Sequence, residues 1–317
     1  MDPMITVEHL VKRYRKSAVA AVDDISFEVQ PGELFAFLGP NGAGKTTTIS
    51  IMTTTLSKSS GTVTIGGHDL DHEAKAVRRE IGIIFQNPSV DQHLSAEENI
   101  RLHVAIYGLY GYRPFYRLMP AEYRQRVERL AAVVGLSDDL FKPLSRYSGG
   151  MKRKLEIIRS LMHRPAVLFL DEPTSGLDPI SRRDLWEYLR EVRQTDATTI
   201  FLTTHYLEEA EGADRVCVID HGRIAVIGTP EEMKERLLER TVELDAVDRP
   251  ALAADLRSLG LRPTQLPDGV LRVAFEGATA QDLIGRIDTP LTVLRVREPS
   301  LEEAYVELLR QTEEAAA

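Results

Sequence analysis

Residues 39–46 read Gly-Pro-Asn-Gly-Ala-Gly-Lys-Thr. The run just before them, residues 33–38 (ELFAFL), is apolar and reads as a strand buried on both faces. The segment after them, Thr46–Met52, is rich in Thr and Ile and can start a helix. A glycine-spaced loop ending in Lys-Thr, set between a strand and a helix, is the context of a phosphate-binding loop. Glycine lacks a Cβ, so successive backbone N–H groups can converge on phosphate oxygens. The helix that follows adds roughly half a positive charge at its start. In that geometry Lys45 reaches the β- and γ-phosphates, and Thr46 offers a hydroxyl to Mg²⁺. The site for the phosphates of a nucleotide is therefore Gly39, Pro40, Asn41, Gly42, Ala43, Gly44, Lys45 and Thr46, with Thr47 beside them.

Moving outward, residues 5–11, 25–29, 62–65, 81–85, 166–170, 199–203 and 215–219 read as short strands. Residues 95–108 open with Ser95-Ala96-Glu97-Glu98, a capping box that starts a helix. From there to about residue 164 the pattern is mostly helical. Strands alternating with helices argue for an α/β layered core, and residues 89–158 then form a helical insertion in it. Residues 167–172 read Val-Leu-Phe-Leu-Asp-Glu, a buried strand ending in two carboxylates. Asp171 can hold Mg²⁺ through water, and Glu172, pointing the other way, can polarise an attacking water. After Thr229-Pro230 a smaller α+β unit follows, with strands at 241–247 and 270–275 and helices at 250–259, 279–287 and 300–311.

The composition sets the outer limits. The chain has 317 residues, 43% hydrophobic and 27% charged, enough apolar material for about two domains with real cores. Lys and Arg total 39 against 48 Asp and Glu, net −9, which argues against binding nucleic acid over the whole surface. The single cysteine, Cys217, excludes an intramolecular disulfide and a cysteine-only zinc site. No apolar run is long enough to cross a membrane, and the start MDPMITVEHL lacks a secretory pattern. The expectation is a soluble, cytosolic protein whose membrane role, if any, runs through a partner.

Residues 147–151 read Tyr-Ser-Gly-Gly-Met and residues 171–178 read Asp-Glu-Pro-Thr-Ser-Gly-Leu-Asp. Together with the phosphate loop, these closely resemble an ABC-transporter ATP-binding subunit, over about residues 4–230. The resemblance implies a P-loop NTPase core of the RecA type with an antiparallel β subdomain and an inserted α-helical subdomain. It implies ATP and Mg²⁺ as cofactors, with catalysis by Glu172, His205 and Lys45. Mg²⁺ would be held by Thr46, Gln86 and Asp171. Ser148, Gly149 and Gly150 would bind the γ-phosphate of ATP held by a second copy. Gln86 would touch Mg²⁺ and sense the membrane subunit, Asp178 would communicate across the dimer, and Tyr14 would stack on adenine. Tyr147 and Met151 depart from the family's commonest Leu and Gln, at positions that do not supply the main phosphate contact.

The ending Glu298-Pro299-Ser300-Leu301-Glu302-Glu303-Ala304-Tyr305 looks like the carboxyl end of the drug-resistance (daunorubicin-exporter-like) ATPases of ABC-2 exporters. That implies a homodimer of ATPase subunits on the cytoplasmic face of the membrane, joined to ABC-2 permease subunits, with no nucleic acid. Residues 231–317 would regulate or strengthen the dimer. The alternative is a non-transport ABC ATPase acting on nucleic acid or the ribosome. The stretch from Lys45 to Ser148 is too short for a coiled-coil arm, and the chain carries one cassette. A pure ATP-holding scaffold is disfavoured by the presence of both Glu172 and His205. Residues 107–119 (YGLYGYRPFYRLM) are dense in aromatics, and their glycines and proline break a helix. They read either as a loop packed on its own subdomain or as a contact surface for the membrane subunit.

Overall fold

A computed structural model describes residues 2–15, 17–84, 90–204, 206–237, 241–274, 280–297 and 300–316. They divide into two compact units, Met1–Ile227 and Gly228–Ala317. In chain order the first unit runs β1 (Ile5–Lys12), β2 (Val22–Val29), β3 (Leu34–Leu38), α1 (Lys45–Met52), β4 (Ser60–Ile65), β5 (His68–Asp69), α2 (Ala74–Glu80) and β6 (Ile81–Ile84). It continues with α3 (Ala96–Ile106), α4 (Ala121–Val133), α5 (Gly149–Leu161), β7 (Val167–Asp171), α6 (Pro179–Asp196), β8 (Thr199–Thr203), α7 (Leu207–Ala210), β9 (Arg215–Asp220) and β10 (Arg223–Gly228). The second unit holds α8 (Pro230–Leu237), β11 (Thr241–Ala246), α9 (Arg249–Ser258), β12 (Thr264–Gln265), β13 (Leu271–Ala274), α10 (Ala280–Ile284), β14 (Leu291–Arg297) and α11 (Leu301–Ala316).

The central sheet has the order β10-β9-β3-β8-β7-β6, and β6, β7, β8, β3 and β9 pair in parallel. Every residue of β3, β7 and β8 is buried, which is why their central residues read as apolar runs rather than alternating ones. A second, antiparallel sheet has the order β2-β1-β4-β5. Its inward Phe27 stacks on Phe35 of β3 at 5.5 Å between ring centres and meets Phe201 of β8 at 6.0 Å. Phe169 of β7 joins the same cluster, 5.5 Å from Phe201. These rings clamp the two sheets together and fix the height of the loop that follows β3.

The helical insertion consists of α3, α4 and α5 with short 3₁₀ turns between them. The capping box at its start is present: Ser95 Oγ accepts from the Glu98 N–H, and Glu98 accepts from the Ser95 N–H. In the second unit the antiparallel sheet β12-β13-β11-β14 buries Val242, Leu244 and Val273 against Leu252, Leu256 and Leu283. Ser300 and Glu303 form the reciprocal cap of α11, which packs on α8. The short β5, the edge strands β10, β12 and β14, and helices α2, α6, α7 and α8 extend the strand and helix pattern read from the sequence.

Candidate functional site

Three strand ends build the site. β3 delivers the loop Gly39–Gly44, and α1 opens at Gly44 in a left-handed conformation, φ +113°. A Cβ on Gly39 would lie 2.2 Å from the carbonyl oxygen of Ile219, and one on Gly44 would lie 2.5 Å from that of Ala21. Only glycine can turn the backbone here against neighbouring main chain. The result is a loop bared of side chains at the start of a helix, a cradle suited to anionic oxygens. Lys45 is 7% exposed, and its Nζ donates to the carbonyls of Gly39 (2.6 Å) and Pro40 (3.1 Å). Burial lowers the pKa of its ammonium, opposed by the negative charge of Glu172 and Asp171. Those two carboxylates, at the end of β7, therefore stand within electrostatic reach of Lys45.

Asp171 closes β7 and is 6% exposed. Thr203 of β8 donates its hydroxyl to Asp171 Oδ1 at 2.5 Å, which fixes the carboxylate and leaves Oδ2 available. Burial raises the Asp171 pKa, only partly countered by the Thr203 hydrogen bond. Glu172 has φ +47°, a left-handed backbone unusual for a non-glycine residue, and its N–H donates to the Thr203 carbonyl at 2.9 Å. This reversal separates the side chains of two adjacent acids, so they can serve different roles. Local strain of this kind costs about 1–3 kcal/mol and is held by surrounding structure.

The holding structure includes residues that motif reading did not single out. Arg153 of α5 is 5% exposed; its guanidinium donates to the carbonyls of Asp171 (3.2 Å), Glu172 (3.2 Å) and Pro173 (2.8 Å) and to the carboxylate of Glu156 (3.1 Å). Glu209 of α7 accepts from the hydroxyls of Thr174 and Thr204, all three side chains being buried. It thereby ties the loop after β7 to the loop after β8. Nothing local in the sequence marked either Arg153 or Glu209, whose partners lie far along the chain. Arg153→Met should destabilise the first unit by roughly 3 kcal/mol or more, because a buried network loses its cation. Urea unfolding followed through this unit checks it.

Ser148, Gly149 and Gly150 form a second, separate constellation. Ser148 caps α5 by accepting from the Met151 N–H at 3.2 Å, and a Cβ on Gly149 would meet nothing within 4 Å. A Cβ on Gly150 would lie 3.3 Å from Ser181 Oγ, so this helix start sits beside the start of α6. There Asp178 is the N-cap, accepting from the N–H groups of Ile180 and Ser181 and from the Ser181 hydroxyl (2.6 Å). Among the described residues no hydrogen bond links Ser148–Gly150 to the loop Gly39–Thr46. Tyr147 is buried and donates to the Asp139 carbonyl at 2.7 Å. Tyr14, half exposed, lies beneath the Lys12 ammonium with its hydroxyl 3.4 Å from Thr47 Oγ1, at the side of α1. Gln86 and His205 lie outside the described residues.

A family model described as ABC transporter matches residues 22–175. The doxorubicin resistance ATP-binding protein of Mycobacterium tuberculosis is 36% identical, over 96% of this chain and 93% of its own. The chain belongs to the ABC transporter family. The daunorubicin/doxorubicin resistance ATP-binding protein of Streptomyces peucetius is 38% identical, over 98% of this chain and 96% of its own. A solved structure titled as the ATP-binding subunit of an ABC transporter superposes with a TM-score of 0.64 at 29% identity, covering 74% of this chain and 92% of that one. This ABC chain thus has the cassette fold and the family's chemistry, ATP binding and hydrolysis. No helix among its described residues is long and apolar enough to cross a membrane.

Proposed function

We propose that this chain is the ATP-hydrolysing subunit of an ABC exporter, working as a homodimer that drives a hydrophobic or amphipathic compound through separate membrane subunits. The observation that carries the reading is a pair of separate half-sites within the first unit of the fold. One is a phosphate cradle with Lys45, Asp171 and Glu172; the other is an open helix start at Ser148–Gly150. Two copies facing each other would bring cradle and helix start onto one nucleotide, and the drug-resistance relatives support export as the use.

In the closed pair, the Gly39–Thr46 loop and Lys45 bind the β- and γ-phosphates. The partner's Ser148–Gly150 segment presents N–H donors to the γ-phosphate. Glu172 orients and activates the attacking water, and His205 contacts the γ-phosphate. Magnesium, held by Thr46, Gln86 and Asp171, would neutralise phosphate charge when bound. The donor set fits that ion: a hydroxyl, an amide and one buried carboxylate with a free oxygen suit a cation that keeps several waters. Asp178 at the α6 cap relays closure across the dimer, and Tyr14 stacks on adenine. ATP favours closure because only the closed pair makes both sets of phosphate contacts.

The membrane partner is an ABC-2 type permease, engaged on the cytoplasmic face near the Gln86 loop and the helical insertion. The segment 107–119 supports this. It is tied down, with Arg101 donating to the Arg113 backbone carbonyl at 2.7 Å and the Tyr116 hydroxyl to the Glu128 carboxylate at 2.7 Å. Yet Tyr112, Phe115 and Leu118 are 63%, 56% and 52% exposed. A fixed loop presenting unburied rings and arginines has the make-up of an interface centre. Replacing Tyr112 and Phe115 together by Ala should abolish most transport while leaving basal ATP turnover within about twofold, measured in vesicles and in solution. Full transport by that variant contradicts the contact.

Steady-state ATP hydrolysis, with and without the co-purified membrane subunit, tests the reading as a whole. Stimulation by that subunit supports it; stimulation by nucleic acid or ribosomes instead would move the chain to the non-transport ATPases.

A further inference from the structure

We propose that a cavity along α6 binds a small amphipathic carboxylate, and that its occupancy alters ATP turnover. The cavity measures 690 Å³, within the range of small-molecule sites. Its wall is apolar: Leu34, Leu189 and Ile200 contribute buried side chains, and Trp186, the one tryptophan of the chain, stands beside them. Its rim is cationic. Arg193 is already occupied by the Gly32 carbonyl (2.7 Å) and Asp214. Arg190 makes no hydrogen bond or ion pair among the described residues. Arg182 stacks on Tyr206 at 4.6 Å, and its buried Nε has no hydrogen-bond partner.

Two guanidiniums without a carboxylate partner among the described residues, beside an apolar wall, lack two things: a planar anion that can accept N–H donors, and an apolar body to fill the space. A carboxylate on an apolar chain supplies both. Of the acids at the cavity, Glu209 is taken by Thr174 and Thr204, and Glu208 is exposed at the mouth. The coupling follows from the same residue. Glu209 lines the cavity and ties Thr174, two residues from Glu172, to Thr204. A ligand that shifts α7 against α6 shifts the backbone that carries the acid.

The test uses the full chain and decanoate below its micellar concentration, read by Trp186 fluorescence. The expected result is a saturable change in emission. It should be at least tenfold weaker in affinity in Arg190→Gln and in Arg182→Gln, and at least tenfold weaker for decanol with the natural chain. No saturable change overturns the site; so do equal affinities for decanol and for both variants, which would mean mere partition of an apolar tail. At the saturating concentration, ATP turnover should change at least twofold in the natural chain and not in Arg190→Gln. Unaltered turnover with Trp186 responding overturns the coupling. That clause rests on the ATPase reading, whereas binding does not: a chain that binds decanoate and hydrolyses no ATP under any condition faults the ATPase reading instead.

Discussion

Glu172→Gln should retain ATP binding and lose nearly all turnover. The amide keeps the size of the side chain and the left-handed turn at φ +47°, so the loop and its Thr203 contact persist. What it removes is the carboxylate we propose as acceptor of a proton from the attacking water. General-base catalysis of this kind contributes about 10²–10⁴-fold, and the variant should fall by that factor. Steady-state phosphate release measures the loss, and nucleotide titration measures the retained affinity. Turnover within about tenfold of the natural chain would mean that another group serves as base.

Lys45→Ala should act one step earlier, on binding. The ammonium is buried and donates to the carbonyls of Gly39 and Pro40 within the cradle. Charged hydrogen bonds contribute about 1.5–3 kcal/mol each, so one contact to a phosphate accounts for roughly 10–100-fold in ATP affinity. Its removal also leaves Asp171 and Glu172 without the positive charge that offsets them. Titration with a fluorescent ATP analogue measures this. Unchanged affinity would contradict the phosphate-binding role of the loop.

The parts of the fold visible in the sequence are those set by short-range patterns. β3, β7 and β8 were legible because strands covered on both faces favour apolar residues along their length, with polar ones only at their ends. The caps at Ser95 and Ser300 were legible because the serine and the glutamate three residues on satisfy each other's backbone. Helix α6 was harder: its start falls inside a motif read for chemistry, and Asp178, which reads both as a dimer contact and as a helix-starting acid, is its N-cap. β14 alternates weakly because Leu294 and Val296 on this edge strand stay half exposed. For the site, the glycine loop and the acidic pair were legible as spacing. The pins were not, since Arg153, Thr203 and Glu209 act on residues far away in sequence, and only the fold brings them there.

The central claim is that two copies enclose ATP between the cradle of one and the Ser148–Gly150 helix start of the other. Sedimentation of Glu172→Gln with ATP and Mg²⁺ tests it most directly, with ADP as the control. The account predicts a shift from one copy to two with ATP and no shift with ADP. A strictly single-copy species with ATP bound, even beside the membrane subunit, would contradict it.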